Sequence, residues 1–144
     1  MNAKEELENI LIWEAKIEGK AEQIKRLEAM AMKTTSTMGG EAVSRTRDND
    51  PHGRYMVRKE RLENEVIALQ RENEHRKIFF ARIIDNLRNP MHIKVLYGLF
   101  YNKKKPAAIA EETNYSYRHV LNLRDDAVAE VQKIVGKQDV SFIS

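Results

Sequence analysis

Residues 109–128 read IAEETNYSYRHVLNLRDDAV. The segment offers a short helix, then a turn at Asn114, then a longer helix that begins near Ser116. Asparagine tolerates the left-handed backbone conformation that a tight turn between helices needs. Serine is a favoured N-cap, because its hydroxyl accepts a hydrogen bond from an otherwise unpaired amide. The pattern predicts a helix-turn-helix.

The two faces of this predicted motif differ in chemistry. The residues expected to hold the helices together are Ile109, Ala110, Tyr115 (an apolar plug after the turn), Val120 and Leu123. The residues left to face outward are Tyr117, Arg118, His119 and Asn122. Side chains of these types bond base edges or phosphates in a DNA major groove. We predict phosphate contacts for Lys103, Lys104 and Lys105 in the preceding turn, and for Ser116 and Arg124.

The motif is formed by the last two of three consecutive predicted helices. Pro90 disfavours helix in the residue before it and so predicts a break after Arg88. The predicted helices then run from Met91 to Tyr101, from Pro106 to Glu112 and from Ser116 to Val135. Gly136 is expected to stop the last helix, and the tail, 137–144, shows no clear structure.

A long helix is predicted near the start of the chain, from Ala3 to Lys33. Its apolar residues Ile10, Ile17, Ile24 and Ala31 recur every seven positions. A seven-residue apolar repeat is typical of a coiled-coil seam. Packing of the same stripe on its own chain explains the repeat equally well.

The segment from Thr34 to Gly53 is rich in Thr, Ser, Gly, Asp and Asn. This composition predicts a flexible loop, 34–53. His52 has no second metal ligand near it in sequence, so we expect it to be solvated.

A second long helix is predicted from Arg54 to Arg88. Its steps alternate between four and three, which again predicts a coiled-coil seam, along the stripe Leu62, Val66, Leu69, Asn73, Arg76, Phe80, Ile83 and Leu87. Asn73 and Arg76 are polar members that either fix the register or lie at an exposed part of the stripe. An antiparallel helical hairpin is the simplest arrangement of the two long helices. It leaves apolar surface for self-association.

Composition narrows the function classes. The chain has 144 residues, 42% hydrophobic and 33% charged, and a formal net charge of +3. This mild positive charge does not by itself identify a nucleic-acid ligand. The absence of cysteine excludes disulfides and thiolate metal sites and fits a cytoplasmic protein. No apolar run is long enough for a membrane span, and no signal peptide is expected.

No catalytic arrangement is recognisable in the sequence. The adjacent pairs Glu111-Glu112 and Asp125-Asp126 point in different directions on a helix. There is no glycine-rich phosphate loop, Ser-His-Asp pattern or metal-ligand spacing. We therefore expect a protein that is not an enzyme and needs no cofactor and no metal.

The segment from Leu87 to Val131 resembles region 4 of the sigma-70 family of RNA polymerase subunits. The matching residues are Val95-Leu96-Tyr97-Gly98-Leu99-Phe100-Tyr101, Ile109-Ala110-Glu111-Glu112, Tyr115-Ser116, Val120 and Ala127-Val128. The resemblance covers about a third of the chain. It implies that Tyr117, Arg118, His119 and Asn122 occupy the positions that read the −35 promoter element.

The chain departs from that family in three respects. Nothing upstream resembles region 2, which melts promoter DNA. Asn114 replaces the usual glycine of the turn, and Glu130 and Lys133 stand where a basic run is expected. The whole layout is similar instead to small phage late transcription regulators (the ArpU and RinA type), which join an N-terminal helical region to a region-4-like module.

The sequence thus predicts an all-α protein with three parts: a coiled-coil-like hairpin, 1–88; a helix-turn-helix module, 89–136; and a tail, 137–144. The expected function is sequence-specific binding of duplex DNA by a phage or prophage transcription regulator. Its hairpin would form a homodimer or contact RNA polymerase. One alternative is a DNA-packaging assembly protein of the small-terminase type, although its DNA-binding module usually comes first in the chain. A structural coiled-coil adaptor is the other.

Overall fold

The computed structural model describes residues 1–37 and 51–143, with side chains for residues 1–33 and 51–137. Every regular element in that part of the chain is helical, which confirms the all-α class. Residues 38–50 of the predicted loop lie outside the described residues. Its two ends are helical. The elements are α1 (Ala3–Thr37), α2 (Pro51–Asp85), α3 (Pro90–Leu96), a π-helical turn (Tyr97–Tyr101), α4 (Pro106–Thr113) and α5 (Tyr117–Ile143).

The chain divides into two compact units. Unit 1 comprises residues 1–13 and 73–144, and unit 2 comprises residues 14–72. This division differs from the predicted boundary after residue 88. The start of α1 and the last turns of α2 belong with the C-terminal module, because their apolar residues enter its core.

The predicted break between the second and third helices is present. α2 ends at Asp85, three residues earlier than expected, and two tight backbone turns follow at Asn86 and Leu87. The side chain of Asn89 then caps α3 by accepting a hydrogen bond from the amide of Met91 at 2.9 Å. Pro90 occupies the first turn of α3, where its missing N–H costs nothing.

The predicted end of the last helix is wrong. α5 continues through Gly136 to Ile143, so most of the expected tail is helical. Glycine ends a helix when it adopts a left-handed conformation, but no described glycine has a positive φ. A glycine inside a helix costs only about 1 kcal/mol relative to alanine, which the packing of Val131 and Val135 offsets.

In unit 2, α1 and α2 contact each other through pairs that run in opposite directions along the two helices. Lys20 bonds Glu65 at 2.8 Å and Glu28 bonds Lys59 at 3.3 Å. His52, expected to be a solvated loop residue, is half-buried in the first turn of α2. One of its ring nitrogens lies 3.4 Å from the carbonyl of Ala31. The contact between α1 and α2 therefore extends to the first turn of α2.

Unit 1 is built around one apolar core to which every helix contributes. Phe80, Ile84, Leu96 and Ile109 are among its largest fully buried side chains, almost without exposure. The other members are Ala3, Leu7, Ile10, Ile83, Leu87, Val95, Leu99, Phe100, Ala110, Val120, Ala127, Val131 and Val135. Ala3, Leu7 and Ile10 come from the start of α1, which therefore completes the C-terminal module.

The two polar members of the α2 stripe lie inside unit 1. Asn73 is 3% exposed and donates to the carbonyl of Ile10 at 3.2 Å. Arg76 donates to the Asn73 side chain at 3.0 Å and to Glu6 at 2.9 Å, and its guanidinium lies 4.6 Å from the ring centroid of Trp13. A cluster whose groups are all paired fits only one register of α1 against α2. This favours the register-fixing interpretation over the exposed one.

Candidate nucleic-acid interface

The turn between α4 and α5 has the geometry that its residues predict. Asn114 adopts the left-handed conformation, with φ 60° and ψ 23°, and the amide of Tyr115 bonds back to the carbonyl of Ala110 at 3.1 Å. Thr113 closes the end of α4 by donating its hydroxyl to the carbonyl of Ile109 at 2.7 Å. The chain can therefore leave α4 and enter α5 within three residues.

Ser116 starts α5 as predicted. Its hydroxyl oxygen accepts a hydrogen bond from the amide of His119 at 3.0 Å, and its carbonyl accepts from Val120 at 3.1 Å. Val120 is fully buried against the core that also holds Ile109 and Ala110. The cap and the buried contact together fix the first turns of α5 relative to α4.

The four predicted base-reading residues are all exposed on the first two turns of α5. Tyr117 is 54% exposed. Arg118 and Asn122 are four residues apart and so share one face, which lies away from the buried Val120. These turns expose a guanidinium, a side-chain amide, a phenol and an imidazole. All four groups are therefore accessible to a ligand.

Tyr115 departs from its prediction as a buried plug. It is 37% exposed, and its ring lies edge-on to the ring of His119 with centroids 4.7 Å apart. Ile109, Ala110 and Val120 already fill the space between the helices, so the tyrosine is left at the surface. Tyr115 thus joins the exposed residues of the turn and holds His119 at its side.

Carboxylates limit the polar face further along α5. Asp125 and Asp126 are exposed and lie one turn beyond Asn122. Negative charges there repel phosphates, so the part of α5 that suits a duplex is its N-terminal turns. Those turns are also where recognition helices contact base edges.

The predicted phosphate-contact residues are not equivalent. Lys104 bonds Glu112 at 3.1 Å, and the guanidinium of Arg124 bonds Asp125 at 3.0 and 3.1 Å. Lys105 makes no side-chain hydrogen bond or ion pair within the described part of the chain. Lys103 has a φ of 56°, which is unusual for a residue with a side chain. Ser116 serves as the helix cap.

A groove of about 830 Å³ brings three of these cations together in unit 1. Lys104, Lys105 and Arg124 line it, and so does Lys4 from the first turn of α1. Its apolar lining residues are Leu11, Leu99, Phe100, Pro106, Val128 and Ala129. Lys4 could not be predicted as part of this groove, because it is remote from Lys105 in the sequence and no local pattern connects them.

Comparison with family models, with curated proteins and with solved structures finds no match to this chain. Within its described residues, no helix has the length and apolar character needed to cross a membrane.

Proposed function

We propose that the chain is a sequence-specific duplex-DNA-binding transcription regulator whose helix-turn-helix is formed by α4, the turn at Asn114 and the start of α5. One observation carries this proposal. The first two turns of α5 are capped by Ser116 and anchored by buried Val120, yet they expose Arg118 and Asn122. Arginine suits guanine and asparagine suits adenine in the major groove.

The resemblance to sigma region 4 supports a role at a promoter. Because two long helices precede this module, as in the layout of the phage late regulators, we propose an accessory regulator of that type. In this proposal α1 and α2 form an antiparallel hairpin that dimerises the protein or contacts RNA polymerase. The opposite-running pairs in each unit support the hairpin.

The first prediction tests base reading by Arg118. The duplex that the wild-type chain prefers is first found by footprinting on the DNA that surrounds the gene of this protein. Arg118→Ala should then reduce the preference for that duplex over a mismatched one by about 1–3 kcal/mol, the usual value of one bidentate base contact. Affinity for both duplexes is measured by fluorescence anisotropy across a salt series.

Lys105→Gln is the matched control, because it removes one positive charge without removing a base contact. It should weaken binding to every duplex and make the slope of log affinity against log salt shallower by about 0.9. Equal affinity of the wild-type chain for all duplexes, unchanged by Arg118→Ala, would falsify the base-reading assignment.

A further inference from the structure

A row of three arginines runs along one side of α2 in unit 2. Arg54, Arg58 and Arg61 are spaced by four and three residues, which places them on one helix face. All three are exposed, and the row rises by roughly 10 Å along the helix axis. We call these three residues the arginine stripe.

Within residues 1–33 and 51–137, the stripe has no acidic partner. The residues three and four positions from Arg58 are Tyr55, Leu62 and the other two arginines, so no carboxylate lies one helical turn from Arg58. Glu65, four residues beyond Arg61, is instead bonded to Lys20 at 2.8 Å. Among the described residues, none forms an ion pair or hydrogen bond with the three guanidinium groups.

The spacing of the three arginines lowers the intrinsic stability of α2. Like charges at positions i and i+4 destabilise a helix, and Arg58 has a like-charged neighbour on each side. Elsewhere on the same helix, Lys59 lies 3.3 Å from Glu28 and 3.5 Å from Glu63. The lysine therefore supports the contact between α1 and α2, whereas the arginine stripe makes no ion pair with the described residues of either helix.

The phosphate backbone of a duplex is the ligand that this geometry fits best. It presents closely spaced negative charges in a line, as the stripe presents positive ones. Guanidinium groups bind phosphate oxygens through two parallel hydrogen bonds, which an ammonium group cannot do. We propose that the arginine stripe is a second DNA contact, which binds phosphates without reading sequence. This inference rests on the proposed function.

The test replaces the stripe in the full chain by Arg54→Gln, Arg58→Gln and Arg61→Gln. Glutamine keeps the helix propensity of arginine, and circular dichroism verifies the helix content. On a duplex of roughly 40 base pairs, about four helical turns, the salt slope should become shallower by about 0.9 for each lost phosphate contact, up to about 2.7. The preference for the specific duplex should stay at the wild-type value.

The matched control changes Lys25, Arg26 and Arg71 to glutamine. These exposed cations lie in the same unit, and their loss lowers the net charge by the same amount. The control variant should keep the wild-type slope, because long-range attraction alone does not change the number of phosphates bound. Equal slopes for the two triple variants would overturn the stripe as a DNA contact.

Two other results have distinct meanings. If the wild-type chain binds no duplex at any salt concentration, the proposed function fails, and the stripe proposal fails with it. If the stripe variant keeps the wild-type slope but captures RNA polymerase less well, the stripe binds an acidic protein surface and the duplex assignment is overturned.

Discussion

At Gly98, the addition of a single methyl group should have a large effect on the stability of the fold. It is buried in the π-helical turn, and an added Cβ would lie 3.0 Å from Cδ1 of Ile109. Ile109 is itself 2% exposed and has little room to move. The absence of a side chain at residue 98 therefore lets α4 approach the turn closely.

We predict that Gly98→Ala lowers the free energy of unfolding by about 1–3 kcal/mol, the usual cost of overpacking a core. Urea unfolding followed by circular dichroism measures this difference. Gly136→Ala is the matched control, because an added Cβ at Gly136 meets nothing within 4 Å and the helix continues through it. It should stabilise the chain by roughly 0.5–1 kcal/mol. Destabilisation of the same size by both changes would contradict the steric explanation.

At the scale of elements, two tyrosines attach the π-helical turn to α2. Tyr97 donates its hydroxyl to the carboxylate of Asp85 at 2.6 Å, and Tyr101 donates to the carbonyl of Lys77 at 2.6 Å. The rings pack edge-on with centroids 4.9 Å apart. Both phenols reach α2 and so hold the π-helical turn against it at the point where the chain leaves towards α4.

This attachment should make the fold sensitive to alkaline pH. Burial raises the pKa of Tyr97 to about 12, and the hydrogen bond to Asp85 and its negative charge add to the effect. The pKa of an unfolded tyrosine is roughly 10. Since the folded pKa is the higher one, the contribution of Tyr97 to stability is complete below about pH 10 and is lost as the pH rises towards 12.

Tyr97→Phe should lower stability at neutral pH and flatten the decline in unfolding free energy above about pH 10. The measurement is the urea midpoint at a series of pH values between neutral and strongly alkaline. Tyr117→Phe, which alters a phenol at the surface, should leave the wild-type profile unchanged. A Tyr97→Phe profile that runs parallel to the wild-type profile would show that another group controls the alkaline loss.

At the scale of the whole molecule, local chemistry was readable from the sequence and long-range packing was not. The turn at Asn114 and the cap at Ser116 each follow from the residue and its near neighbours. The sequence left open whether Asn73 is buried or exposed, because its burial depends on Ile10 of the other long helix. The exposure of Tyr115 depends on how completely Ile109 and Val120 fill the space beside it. The nearness of Lys4 to Lys105 depends on packing between segments a hundred residues apart.

The start of α1 is the clearest case of such packing. The seven-residue repeat predicts either a coiled-coil seam at Ile10 or packing of the same stripe on its own chain, and the predicted module begins at residue 89. In the structure Leu7 and Ile10 are fully buried in the same core as Val120 and Val131. The helices that carry the candidate DNA interface therefore depend on residues from the opposite end of the chain.

We accordingly predict that Leu7→Ala destabilises α4 and α5. Removing a buried leucine side chain costs about 2–5 kcal/mol, and amide hydrogen exchange of residues in these two helices should accelerate. Leu27→Ala is the matched control, since Leu27 is also buried but belongs to unit 2. It should accelerate exchange in unit 2 and leave the amides of α4 and α5 protected. Wild-type protection of α4 and α5 in the Leu7→Ala chain would instead support a module that folds without the start of α1, with its boundary near residue 89.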